Sequence, residues 1–332
     1  MIDKEFFMKR SVLITGGCGF IGSILTERLL DEGFSVRVID NLMHGNEEPE
    51  CFKNDPDFEF IKGDVRRKED VVDALTGMDN VIHLAAIVGD PACKKDPVLA
   101  KETNLDASIS LFETAKEMGV KRFIFASTCS NYGKMADSGG YVNEDSLLRP
   151  VSLYAELKVG FEEYLLSSPR DDVFTPVALR FATAYGVSPR MRFDLTVNEF
   201  TKELALQREL VVFGEQFWRP YCHASDLAQG CIKVLGADRE TVDRNVFNVG
   251  STDENYQKQM IVEDIKKHIP NVKIKYVKKD EDPRDYKVDF SKINKTLDFN
   301  ITKTVVDGIK EIKAELEGGT YGDPDSALYR NS

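Results

Sequence analysis

Residues 12–22 read Val-Leu-Ile-Thr-Gly-Gly-Cys-Gly-Phe-Ile-Gly, and Asp40 closes the next apolar run eighteen positions after Gly22. The stretch spells a strand, a glycine turn and the start of a helix, with an acid at the tip of the following strand. Gly16, Gly19 and Gly22 stand three apart. The first allows a tight turn, the second lets a pyrophosphate approach the backbone, and the third lets the helix pack close to the sheet. Unpaired N–H groups at the helix start then face the phosphates. A carboxylate at Asp40 accepts hydrogen bonds from ribose hydroxyls and repels a 2′-phosphate, which favours NAD over NADP. A glycine pattern alone also occurs in ordinary turns. Here strand, turn, helix and acid agree, and together they indicate dinucleotide binding.

Outward from this stretch, strand and helix patterns alternate. Strands are expected at 12–15, 35–39, 58–61, 80–84 and 121–126, as short continuous apolar runs suited to a sheet covered on both faces. Helices are expected over 20–31, 68–75, 97–118 and 152–166, then from about 195 to 207, with a further strand at 210–213. This order predicts an α/β fold: a doubly wound parallel sheet of the Rossmann type with a smaller C-terminal substrate-binding α/β domain. The expected boundaries are 8–182 for the NAD-binding domain, with returns near 220–250, and 183–219 with 251–332 for the substrate domain. Ligands in such sheets sit at the carboxyl ends of the strands, where Asp40, Asp64, Ala85 and Ser127 fall.

The chain has 332 residues, with 44 Lys and Arg against 56 Asp and Glu, a net charge of −12. Such a surface argues against general nucleic-acid binding, which needs a basic face. It leaves room for an anionic substrate held by a few local arginines. The six cysteines (Cys18, Cys51, Cys93, Cys129, Cys222, Cys231) include no CxxC pair and read as reduced thiols of a cytoplasmic chain. No His, Cys and carboxylate spacing suggests a metal. No apolar stretch approaches membrane-spanning length, and the first residues do not resemble a signal peptide. Residues 1–7 read as a short extension ahead of Met8, an alternative start.

A second cluster consists of Ser127-Thr128, Tyr154 and Lys158. Tyr154 and Lys158, at i and i+4, share one helix face. That spacing is also common by chance. Its weight comes from its place after the fifth strand, with Thr128 just past that strand, near where a nicotinamide would lie.

With these residues in view, the chain resembles the extended short-chain dehydrogenase/reductase family, in particular its nucleotide-sugar epimerases and dehydratases. The resemblance covers nearly all of the chain. It rests on Thr15–Gly22 (with Phe20 and Ile21), Asp40-Asn41, Gly63-Asp64-Val65, His83-Leu84-Ala85-Ala86, Asn104, Ser127-Thr128 with Tyr132-Gly133, Tyr154–Lys158, Leu179-Arg180-Phe181 with Tyr185-Gly186, Arg219–Asp226 and Asp282–Tyr286, in this order.

The resemblance implies a chemistry. Tyr154 is the expected general base. A free phenol has a pKa of about 10, so ionisation near neutrality needs a shift of roughly three units, about 4 kcal/mol. The Lys158 ammonium and a positive nicotinamide ring would provide it. Lys158 would also hold the nicotinamide ribose, and Thr128 would steady the reacting sugar oxygen. Asp64 and Val65 match positions that hold adenine. Phe20, Ile21, Asn41, Leu84, Ala85, Ala86 and Asn104 are carried over as further cofactor contacts. Arg219 and Arg284 match positions that grip a substrate diphosphate, which suits a guanidinium fork; structural ion pairs are the alternative. Cys129, Ser130, Arg180, Thr183, Arg192 and Asn198 are further substrate-pocket candidates. Trp218 either covers the substrate or packs, while His83 and His223 read as structural.

The resemblance also narrows the reaction. The 4,6-dehydratases place Asp-Glu directly after the catalytic hydroxyl residue, where this chain has Cys129-Ser130. The branch that epimerises beside a keto group uses a cysteine one place later. Cys129 is thus a variant acid or, the favoured reading, a small buried residue. The Asn-Pro element of galactose epimerases is Thr183-Ala184 here. What remains is oxidation at sugar C4 with NAD, as a 4-epimerase or a 4-dehydrogenase. Residues 83–93 and 190–195 look like a branch from surface-polysaccharide pathways in which nucleotide-heptose 4-dehydrogenases occur. A non-catalytic dinucleotide sensor is the alternative of another class. The resemblance implies a homodimer built on the helices near 97–118 and 152–167, whose Leu105, Ile109, Phe112, Phe161 and Leu165 suit either core or interface.

Overall fold

The computed structural model describes residues 10–45, 52–134, 140–279 and 284–331. Met8, Cys51 and Asp282, all named above, lie outside the described residues. In chain order the strands are β1 (Ser11–Thr15), β2 (Ser35–Asp40), β3 (Phe58–Lys62), β4 (Asn80–His83), β5 (Arg122–Thr128), β6 (Thr175–Phe181), β7 (Thr183–Tyr185), β8 (Glu209–Phe213), β9 (Trp218–His223), β10 (Val246–Val249), β11 (Asn255–Gln257) and β12 (Lys273–Val277).

Seven of them form one parallel sheet in the order β10-β6-β5-β4-β1-β2-β3. From β1 the chain runs outward through β2 and β3, then returns to β4 and runs the other way. The crevice between β1 and β4 is the point where such a sheet binds ligands. Successive residues of β1 face opposite sides. Val12 and Ile14 join a core that includes Leu25 and Leu29 of the helix Gly22–Asp31 and Leu227 of the helix Ala224–Gly236. Leu13 joins the core on the other face with Val71, Phe112 and Phe161. Both faces are covered, which is why these strands read as unbroken apolar runs.

The remaining strands build two small sheets, β11-β9-β7 and β12-β8. Their segments alternate along the chain with the helix Ala224–Gly236 and β10, which belong to the large sheet's layers.

One expectation needs correction. The helix expected over 97–118 is three pieces: Pro97–Lys101, a wide π turn at Glu102–Asp106, and Ala107–Glu117. A short helix, Asp90–Lys95, precedes it and had no signal in the apolar spacing. Of the residues that suited either core or interface, Phe112, Phe161 and Leu165 are core within the single chain, at most 1% exposed. Leu105 and Ile109 pack partly buried against the same cluster. Among the described residues, no helix is long and apolar enough to cross a membrane.

Candidate active site

A cavity of about 640 Å³ opens along the carboxyl ends of the large sheet. One end is framed by the glycine turn. Gly16 has φ +73°, and a Cβ there would come within 2.8 Å of the Ala85 nitrogen. A Cβ at Gly22 would stand 2.4 Å from the Gly16 carbonyl oxygen. Gly19 donates its N–H to that same oxygen at 3.1 Å. The turn is therefore folded on itself, and no side chain fits between it and the β4 loop. The helix Gly22–Asp31 begins with Ile21 as N-cap and no side-chain cap. Gly16, Gly19, Phe20, Ile21 and Gly22 all line the cavity, as do Leu84, Ala85 and Ala86 opposite. Buried His83, its pKa pushed down to about 3 by burial, bonds Thr15 at 2.7 Å and Ser108 at 2.9 Å. Thr15 Oγ1 in turn accepts from the Ala85 N–H at 3.2 Å, so His83 fixes this wall without reaching the cavity.

Asp40 accepts from the N–H groups of Cys18 at 3.1 Å and Leu42 at 2.9 Å. Burial raises its pKa against these bonds and the nearby Arg190 charge. Asn41 donates to Asp64 at 3.3 Å. Arg66 grips Asp64 at 2.6 Å and holds its carboxyl down at about 2. Asp40, Asn41, Asp64 and Val65 line the cavity.

Thr128, Tyr154 and Lys158 line the same cavity. Ser152 caps the helix Leu153–Ser167 through the Ala155 N–H, which starts the helix one residue before Tyr154. Thr128 Oγ1 accepts from the Ser130 N–H at 3.1 Å, leaving its own hydrogen to donate. Lys158 donates to the Ala126 carbonyl at 2.8 Å and lies 6.0 Å from the Tyr154 ring centre. Burial pushes the Lys158 ammonium down to about 7. Tyr154 is raised above the ordinary phenol value, first by burial and then by Cys93, with Arg192 acting the other way. Within the protein alone, burial dominates at Tyr154, contrary to the simple expectation.

Ser130, Thr183, Arg192, Arg219 and Arg284 also line the cavity. Arg192 makes a two-pronged pair with Asp194 at 3.0 and 2.7 Å. Arg219 donates to the Trp218 carbonyl at 2.6 Å and stacks over the Tyr286 ring at 5.4 Å. Arg284 pairs with Asp90 at 2.8 Å.

Four expected site residues lie off the cavity wall. Asn104, on the π turn, donates to the Ile87 carbonyl at 2.9 Å and accepts its N–H at 2.7 Å. It holds the loop after β4 instead of a ligand. Arg180 is consumed by Glu162 at 2.6 Å, with side chains 5% and 1% exposed. Cys129 turns inward, its thiol on the Arg180 carbonyl at 3.2 Å and pushed well up by burial. Asn198 clamps the Gly186 backbone at 2.9 and 3.0 Å and the Arg192 carbonyl at 2.9 Å. Trp218 is also off the wall and carries the Lys287 ammonium over its ring at 5.3 Å.

The cavity also includes residues that the sequence reading passed over: His44, Arg66, Asp90, Arg190, Tyr221 and Tyr286. Arg190 had a signal, the paired arginines of Pro189-Arg190-Met191-Arg192. Tyr286 stood inside a matching stretch. The others come from segments with no local pattern. Among the described residues, no group of three or more His, Cys, Asp or Glu could hold a metal ion.

Residues 12–250 match the profile of the NAD dependent epimerase/dehydratase family. The uncharacterized UDP-glucose epimerase YtcB of Bacillus subtilis is 34% identical over 236 residues, 68% of this chain and 72% of that protein. UDP-glucuronic acid decarboxylase 4 of Arabidopsis thaliana is 27% identical over 95% of this chain and 71% of its own length. Among solved structures, UDP-glucuronic acid 4-epimerase from Bacillus cereus, in complex with UDP-glucuronic acid and NAD, superposes with a TM-score of 0.82. It is 27% identical and covers 93% of this chain and 99% of that one.

Proposed function

Because the chain belongs to the NAD-dependent epimerase/dehydratase family, whose cofactor is NAD, we propose that it oxidises C4 of a nucleoside-diphosphate sugar, as a 4-epimerase or 4-dehydrogenase. The observation that carries this reading is that one cavity gathers three sets of groups. Its wall holds the glycine turn with Asp40, then Thr128, Tyr154 and Lys158, and the arginines Arg192, Arg219 and Arg284.

The residues fit NAD. A side chain at Gly16 or Gly22 would fill the space that the turn keeps for backbone, and the uncapped helix start offers N–H groups to phosphate. Asp40, Asn41, Asp64 and Val65 would hold the adenosine half, and Lys158 the nicotinamide ribose. When bound, NAD⁺ supplies the hydride acceptor and a positive charge that favours phenolate.

Tyr154 Oη takes the proton of the C4 hydroxyl as that oxygen becomes a carbonyl, and Thr128 Oγ1 donates to the same oxygen. Lys158, as an ammonium, stabilises the phenolate that this step consumes; in an epimerase the reverse step returns the proton to the sugar oxygen and restores it. Arg219 and Arg284 take the diphosphate. Elimination needs an acid and a base at the sugar's far carbons. Of the carboxylates on the wall, Asp40, Asp64 and Asp194 are held by the backbone N–H groups, Arg66 and Arg192 named above, which leaves one, Asp90, where elimination needs two groups. This favours C4 oxidation over dehydration. The 3,5-epimerase alternative loses its acid, since Cys129 faces away from the cavity.

The test is absorbance at the NADH band while nucleotide sugars are added to the purified protein, with products identified by NMR. Sugar interconversion at constant absorbance supports the epimerase, and persistent reduction the dehydrogenase. No change with any nucleotide sugar sinks the proposal in favour of a dinucleotide sensor. A cytoplasmic homodimer working in surface-polysaccharide assembly completes the reading, and light scattering that gives a monomer contradicts the dimer.

A further inference from the structure

The helix Asp90–Lys95 lies on the helix that carries Tyr154. Ile87, Ala92 and Cys93 pack with Leu157 and Tyr154 in one apolar cluster, which fixes Asp90 beside the catalytic group. Arg284 reaches Asp90 from a segment 194 residues away, at 2.8 Å. Both side chains line the cavity, and they are only partly exposed, 18% for Asp90 and 38% for Arg284. Two residues beyond Arg284, Tyr286 lies under the Arg219 guanidinium. The ion pair thus joins the Tyr154 side of the cavity to the arginine side.

A guanidinium fork binds carboxylate and phosphate with the same geometry, so one can replace the other. We propose that Asp90 is the resting partner of Arg284, that the diphosphate of an incoming nucleotide sugar displaces it, and that Asp90, once released, selects a sugar without a carboxylate. The inference rests on the nucleotide-sugar reading above. The exchange moves no covalent bond. It moves the Arg284 guanidinium from Asp90 to phosphate and leaves the Asp90 carboxylate facing the glycosyl group. Sugar hydroxyls donate hydrogen bonds to it, whereas a uronate would place a second carboxylate against it, a repulsion that a partly buried site screens weakly. Asp90 also contributes to keeping the Tyr154 phenol protonated, so the pair links substrate arrival to the state of the base.

The NAD-loaded full chain is titrated calorimetrically with UDP, GDP, TDP and CDP, and the diphosphate that binds becomes the probe. Asp90→Asn removes the competitor and is expected to tighten the probe by about threefold to tenfold, the scale of a partly exposed ion pair. Asp90→Glu restores wild-type affinity. In an Arg284→Gln background, Asp90→Asn is expected to change nothing. Unchanged or weaker binding in Asp90→Asn overturns the proposal, as does tightening that persists without Arg284. If no diphosphate binds the wild-type protein, the nucleotide-sugar reading itself falls and takes this inference with it. The second readout is the ratio of kcat/KM for a neutral nucleotide sugar to that for its uronate. Wild type favours the neutral sugar and Asp90→Asn narrows the ratio about tenfold; an equal ratio in the two proteins overturns the selection by Asp90.

Discussion

Lys158 stands one helical turn beyond Tyr154, with its ammonium 6.0 Å from the tyrosine ring centre and 4.7 Å from that of Phe125. The lysine is anchored to the Ala126 carbonyl; the phenol lies deep enough for burial to raise its pKa. Tyr154→Phe deletes only the oxygen that moves the proton. Turnover of the nucleotide sugar is expected to fall by a factor on the order of 10³ or more, while NAD binding, followed by cofactor fluorescence, stays near wild type. Retained turnover would remove Tyr154 from the mechanism.

Lys158 also gives the cofactor-free protein a pH dependence. Its folded pKa is about 7, against about 10.4 in an unfolded chain. Between these values the unfolded state binds more protons, so stability rises with pH from about 7 to 10; it is lost as pH falls from about 10 to 7 and levels off below about 7, where both states are protonated. Lys158→Met removes this contribution. Melting temperatures of cofactor-stripped wild type and Lys158→Met across pH 6–10 are expected to converge as pH rises, with the variant the more stable at pH 6. Parallel curves would mean that the lysine is not buried as a weakened ammonium.

Gly16→Ala tests the cradle. The left-handed backbone costs a side chain about 1–2 kcal/mol, and the new Cβ would sit 2.8 Å from the Ala85 nitrogen. NAD affinity is expected to drop at least about tenfold with a lower melting temperature, read by titration and calorimetry. Wild-type affinity in this variant would show that the turn has slack.

Glu162 and Arg180 test a structural assignment. Glu162 accepts from Arg180 at 2.6 Å and from Ser127 at 2.5 Å, out of contact with water. Truncating either partner leaves a buried charge unpaired, so Glu162→Gln is expected to cost about 3–5 kcal/mol in urea unfolding. Replacing both, as Glu162→Leu with Arg180→Met, is expected to cost less than that single change. A double variant that loses the sum of both singles would argue that each side chain has an independent role.

Five of the seven strands of the large sheet were legible because their signals are local, while β6 and β10 were not among those expected. Short apolar runs, the turn at Gly16 and the acid at Asp40 each announce themselves within a few residues. The site was legible where a family position also faces the cavity, as at Thr128, Tyr154, Lys158 and Arg219. It was not legible where facing depends on the neighbouring turn. Cys129 and Ser130 are adjacent, but the single-turn helix Cys129–Tyr132 sends the first inward and the second to the wall. Arg180 sits in a matching stretch, yet its guanidinium is spent on a glutamate eighteen residues earlier, a partnership that no spacing announces. Asp90 was invisible for the same reason, because its partner is 194 residues away.

The π turn at Glu102–Asp106 gives its helix a slack residue. Excising one position there would let the coil close into a regular α spiral and swing Asn104 by about 100°. Its two hooks on Ile87 would come undone, and the loop bearing Asp90 would lose its tether although no ligand-facing side chain had been altered. A one-codon deletion far from the chemistry would then loosen the wall beside Tyr154, which makes the length of this helix, as much as its composition, part of what shapes the pocket.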